Sequence, residues 1–109
     1  MRQDLAMLNN KHLLLHVVET MDEAKKGYSA LDPKDGEAMF FSFSKVIPLQ
    51  ISVGRSGKAL DVAWLIHGMV VAMASHRGGI LTVEADAALE LPLGWLKENG
   101  VKLGDRLAI

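Results

Sequence analysis

Clusters of turn-forming residues cut this chain into short pieces. "ALDPKDGE" (residues 30–37), "GRSGK" (54–58) and "HRGG" (76–79) each combine glycine with polar residues that favour reversals. The segments between them are apolar, short, and enriched in β-branched and aromatic residues, which suits strands better than long helices. "HLLLHVVE" (12–19), "EAMFFSFS" (37–44), "LQISV" (49–53), "ALDVAWLIHG" (59–68), "MVVAMAS" (69–75) and "ILTVEADAALEL" (80–91) read as strands, the last with a break near Asp86. Pro48 separates the second from the third, so "MFFSFSKVIPLQIS" reads as strand, turn and strand.

Two stretches carry helix signals instead. Thr20 is followed three residues later by Glu23, a capping box, and Gly27 is a stop, which predicts a short helix over Met21–Lys26. "PLGWLKENG" predicts a second, with Pro92 near its first turn and Gly100 beyond its last. "VKLGDRLAI" closes the chain as a turn and a strand, the Asp105 carboxylate accepting backbone N–H groups in the turn. The expected fold is therefore α+β and β-rich, a small partly closed barrel of six or seven short strands with two short helices. Residues 1–10 read as an N-terminal arm or helical turn, and residues 11–109 as a single domain, the size a 109-residue chain supports.

Composition narrows the function classes. Twelve Lys and Arg against 13 Asp and Glu give a net charge of −1, with no basic run that could track a phosphate backbone, so no nucleic-acid partner is expected. There is no cysteine, which removes disulfides, thiolate nucleophiles and cysteine metal sites. The first apolar run is too short for a signal-peptide core or a membrane span, so a soluble chain with no membrane partner is expected. Half of the residues are hydrophobic, a high share for so small a domain, and this predicts apolar surface covered by another protein chain.

The order and wording of these pieces resemble the domain of unknown function 192 family, the uncharacterised ancient conserved region proteins. Members follow a threonine-started helix with "FWMKNTLIPLDI" and end with "VLELPAGxxxxxGIKxGDRV". This chain has "TMDEAKKGY" from Thr20, "FFSFSKVIPLQI" from Phe40 to Ile51, "GRSGKALDV" from Gly54, and "ALELPLGWLKENGVKLGDRLAI" from Ala88 to Ile109. The departures fall in the central motif. Aligned on "IPL", the family's Trp is Phe41, its Lys is Phe43, its Asn is Ser44 and its Asp is Gln50. Charged and amide groups able to hold an anion or orient a water are thus replaced by apolar rings and weaker polar groups.

The remaining polar residues give no catalytic constellation. "GRSGK" lacks the glycine spacing of a phosphate-binding loop and has Ala59 where a Ser or Thr is needed. His12 and His16 share a strand face about 13 Å apart, too far for one metal ion. His67 and His76 read as edge residues. Asp61, Glu84, Asp86 and Glu90 suggest a solvated or interface face, and no serine has a base beside it. Met69 and Met73 share a parity and are expected to fill the barrel. No cofactor or metal is implied.

Two readings follow. The first is a non-catalytic structural or interaction subunit that buries apolar surface against itself or a larger assembly, such as a phage capsid cement or decoration protein of a virion. Its contact surface is expected at Phe40, Phe41 and Phe43 with Met39 beside them. The second is a cellular small-ligand-binding or hydrolase-like module, with a residual polar pocket at Ser42, Ser44, Gln50 and Asp105.

Overall fold

The computed structural model describes residues 2–20, 22–23, 34–53 and 58–109. Seven strands dominate it: β1 (Arg2–Leu8), β2 (Lys11–Val17), β3 (Glu37–Ser52), β4 (Leu60–Ile66), β5 (Met69–His76), β6 (Ile80–Pro92) and β7 (Leu107–Ala108). They form one curled, half-barrel sheet in the order β5-β4-β6-β3-β2-β1-β7, so the expected β-rich architecture is present, but the described residues are mostly β and not the α+β mixture expected. Among the described residues a single helix, α1 (Trp95–Glu98), runs its whole length. Of the helix expected over Met21–Lys26, only Asp22 and Glu23 are described, both helical, and the rest lies outside the described residues. The capping box does form. The Glu23 N–H donates to Thr20 Oγ1 at 3.1 Å, and the Thr20 N–H to Glu23 Oε1 at 3.2 Å. A donation from the Glu19 N–H holds the Glu23 carboxyl below its ordinary value.

Three expectations about connectivity change. The stretch read as an arm is β1, paired with β2 along its whole length around a turn in which Asn9 and Asn10 both have positive φ, 50° and 62°. Asparagine tolerates that region, which is the reason a two-residue hairpin closes here. "MFFSFSKVIPLQIS" is one strand and not two. Pro48 sits within β3, where it is exposed and pairs with Glu84 of β6. Finally, "GRSGK" and "HRGG" do not join neighbours. β6 lies between β3 and β4, and β4 lies between β5 and β6, so both connections cross a strand. Residues 54–57 of the first are outside the described residues.

Crossed connections and a long bent β3 produce two cores. The first fills the barrel with Leu8, Leu13, Leu15, Leu65, Val70, Leu89 and Leu91, plugged by Trp95, Leu96 and Val101 from α1 and its exit. The second lies on the other side of β4, where Leu49 and Ile51 of β3 fold over Val62 and Trp64. β4 is buried on both faces except at Ile66, which is why "LDVAWLI" reads as a nearly continuous apolar run. Beyond Ile47, β3 pairs only with β6 among the described strands, and two buried side chains add donors to its carbonyls. The Trp64 indole donates to Leu49 O at 3.3 Å, and His76 Nε2 to Ile51 O at 3.0 Å. A carbonyl can only accept, so Nε2 of His76 carries the proton. His76 is thus a buried structural donor, contrary to its expected place at an edge. The register shift between Trp64 and Leu65 puts Val70 and Met73, rather than Met69 and Met73, on the inner core.

The last residues close the barrel. β7 pairs with β1 on one side. On the other, Leu107 N–H donates to Gly68 O at 2.8 Å, Val70 N–H to Asp105 O at 2.9 Å and Gly104 N–H to Val70 O at 2.8 Å. Asp105 Oδ2 accepts the Lys102 N–H at 2.9 Å and fixes the turn, as expected of this residue. α1 ends in a Schellman motif. The Gly100 N–H reaches Lys97 O and the Val101 N–H reaches Leu96 O, with Gly100 at φ 65°. Asn9 Nδ2 donates to Asn99 O and Gly100 O at 2.7 and 3.1 Å, tying the first hairpin to that helix end. Pro92, expected to start the helix, is instead the last residue of β6.

Trp64→Phe removes the indole donor to the Leu49 carbonyl and shrinks a fully buried ring, and should cost about 1–3 kcal/mol in urea unfolding. Gly104→Ala places a Cβ at φ 92° and should cost about 1–2 kcal/mol. Hydrogen exchange should then quicken at Val70 and Leu107, where the closure opens, before it quickens in the β3–β6 ladder.

Candidate functional site

β3 and β6 pair Ser42 with Ala87 and then Ile47 with Ala85, so Phe43–Val46 stand opposite Asp86 alone. Four residues against one cannot stay in a flat ladder, and the segment swells outward as an enlarged β-bulge. This is where the aligned family motif carries its Lys and Asn. Here the bulge exposes Phe43 at 47% and Val46 at 40%. A sequence reading that places a turn between two strands in this region senses the irregularity but assigns it to the wrong structure.

The bulge forms one lip of a cleft of about 230 Å³ at an end of the barrel, lined by residues from four strands and the β4–β5 turn. Phe40, Phe43, Leu65, Ala87, Leu107 and Ile109 give it apolar walls, and Ser42 and Asp86 are its polar groups. The Asp86 side chain is only 15% exposed. Its Oδ2 accepts the His67 N–H at 3.0 Å, which steadies the β4–β5 turn, where His67 and Gly68 both have positive φ. His67 Nδ1 stands 3.8 Å from the same oxygen, with a side chain that is 88% exposed. Ser42 has no hydrogen bond to a histidine or carboxylate among the described residues, so the cleft presents no activated nucleophile.

The residues expected to form an interaction surface separate. Met39 is fully buried in the second core. Phe41 packs against that core and Phe40 against the first, as strand alternation requires. Phe40 also reaches the cleft, and Phe43 alone of the four is exposed. The expected polar pocket is not assembled either. Ser42 lines the cleft, Ser44 is exposed on the bulge, Gln50 is exposed far along β3 opposite Thr82, and Asp105 serves the C-terminal turn. Sequence reasoning missed Leu65, Gly68, Leu107 and Ile109 as cleft residues, because closure of the barrel brings them there from distant positions. Asp86 carried a signal, the break expected near it, but was grouped with other carboxylates.

That grouping does not hold as one solvated face. Glu84 is exposed, Asp86 half-buried and Glu90 buried. Asp61 is buried too, accepting Ser75 Oγ and the Leu96 N–H, each at 3.0 Å. Since the residue before α1 is Gly94, without a side chain to cap, Asp61 supplies the missing acceptor at the helix start. It borders a second hollow of about 320 Å³ with Met73, Ser75, Leu96 and Lys97, but both its oxygens are engaged. A third polar group lies on the outer face, where His16 Nε2 meets Glu37 Oε1 at 2.7 Å and Gln3 Nε2 approaches His16 Nδ1 at 3.4 Å. No helix among the described residues is long and apolar enough to cross a membrane.

Two solved structures share the whole architecture. One is a protein from Sinorhizobium meliloti 1021 described as a candidate transcription regulator, with a TM-score of 0.83 and 20% identity over 97% of this chain and 92% of the other. The second, of unknown function, is from Novosphingobium aromaticivorans DSM 12444, with a TM-score of 0.83 and 17% identity over 98% and 85% of the two chains. At these identities the likeness is one of fold. No curated protein matches the chain. The family model DUF192, "Uncharacterized ACR", matches residues 5–109, essentially the entire sequence, and the chain therefore belongs to the DUF192 family.

Proposed function

We propose that the chain is a non-catalytic protein-binding module, with its contact surface at the open end of the barrel around the β3 bulge. One observation carries this reading: the bulge projects Phe43 and Val46 into solvent beside a cleft that also exposes Ile109 at 70%. Large apolar side chains gathered at one concave place, with a few polar groups, are the composition of a contact surface. The bulge residues take no part in either core, so their apolar character is not required by folding. The replacement of the family's Lys and Asn by Phe43 and Ser44 points the same way.

The partner is another protein subunit, a second copy or a larger assembly. A phage capsid decoration subunit is one such case, and no feature of the fold singles it out. A second reading, a small-ligand-binding module, is favoured by the concavity of the same cleft and by Ser42 and Asp86 within it. The two differ in mass: the first requires self-association or a bound partner, the second a monomer.

Light scattering on the natively purified chain, from micromolar concentration upward, separates them. Phe43→Ser should leave the unfolding free energy within about 0.5 kcal/mol of the parent, since the ring is outside both cores. The same change should weaken association by about 2 kcal/mol, roughly 30-fold. Phe40→Ser should instead destabilise the fold itself, because that ring packs on the first core. A monomer at every concentration, unaltered by Phe43→Ser and co-purifying with nothing, would exclude the protein-contact reading.

A further inference from the structure

We infer that the cleft receives the side chain of a lysine presented by a protein partner, an inference that rests on reading this end of the barrel as a protein contact. The cleft is apolar on most of its walls but holds a carboxylate, Asp86, that is largely withdrawn from solvent. One of its oxygens takes the His67 N–H, and the other has no hydrogen-bond partner among the described residues. No Lys or Arg pairs with it there. Lys45 on the bulge and Arg106 beside Leu107 are exposed, and the His67 ring, 3.8 Å from Asp86, lies almost wholly in solvent. An anion in such a place is costly to cover with an apolar group and repels another anion, whereas a cation satisfies it.

Shape selects among cations. A cleft of about 230 Å³ admits a slender side chain of several methylenes. A lysine side chain, a flexible apolar stem ending in a compact ammonium with three donors, fits this volume and this division of walls. Its methylenes lie against Phe40, Leu65 and Leu107, and its ammonium donates to Asp86 and to the Ser42 hydroxyl. Phe43 at the lip adds an aromatic ring beside which a cation is favoured.

The experiment follows backbone amide resonances of the full chain during titration with small probes. Pentylamine, cationic at neutral pH, and an N-acetylated lysine amide should both produce saturable shifts at Ser42, Asp86, Ala87 and Leu107. Pentan-1-ol should bind at least about tenfold more weakly, and pentanoate should produce no shift there. Asp86→Asn, which keeps an oxygen to accept the His67 N–H, should reduce the amine to the affinity of the alcohol while the spectrum elsewhere stays that of the parent. Equal binding of amine and alcohol, or an amine affinity untouched by Asp86→Asn, overturns the lysine assignment and leaves the apolar contact standing. Binding of pentylamine without the lysine amide overturns it in favour of a free small amine. Silence from every probe overturns it as well, and the Phe43→Ser association measurement then decides separately whether this end of the barrel is a protein contact at all.

Discussion

The backbone hydrogen bonds between Gly104–Leu107 and Gly68–Val70 decide what kind of molecule this is. A curled sheet of this order has two edges, β5 at one and the β1–β7 ribbon at the other, and without a bridge both stay open to solvent or to other chains. The closing segment meets both, pairing with β1 through Leu107 and Ala108 and with the start of β5 through the carbonyls and amides around Val70. It encloses the first core, and at the same stroke creates the cleft, because Leu107 and Gly68 meet there. The core and the cleft therefore share one cause. The "LGDRL" sequence is a fold-making element in the plain sense: Gly104 supplies the left-handed turn and Asp105 ties it to Lys102.

Much of this was readable in the sequence, for identifiable reasons. Strand positions followed from alternation and turn residues, and the α1 exit from Gly100, which a Schellman motif needs at that place. The capping box at Thr20 and the turn role of Asp105 were local chemistry, and local chemistry is what a sequence displays. Strand order is non-local, and there the reading failed. Glycine-rich turns invite a hairpin between flanking strands, yet β6 inserts between β3 and β4, and a two-core arrangement is the consequence. Pro48 suggested a break because a ladder needs N–H donors. β3 tolerates it where its only strand partner among the described residues is β6.

The site was less legible than the fold. Strand parity separates Phe40 from Phe41, but parity does not say which face stays wet. Two buried layers took Met39, Phe40 and Phe41, and only the bulge freed Phe43. The residual polar pocket failed for a related reason. Ser42, Gln50 and Asp105 were expected to converge on one pocket, whereas the bent strand and the closing turn hold them apart. Buried polar residues were misjudged in the same way. Asp61 and His76 look like surface groups in a list of charges, yet each is an acceptor or donor that the backbone of a distant element requires.

The bulge on β3 has an evolutionary consequence. Phe43–Val46 interrupt the β3–β6 register and are excluded from both cores, so the identity of these four residues is nearly decoupled from the stability of the barrel. Selection can rewrite them without first finding compensating changes inside. A lineage built on this scaffold can trade a polar, charge-bearing lip for an apolar one in a few substitutions while the fold underneath remains recognisable.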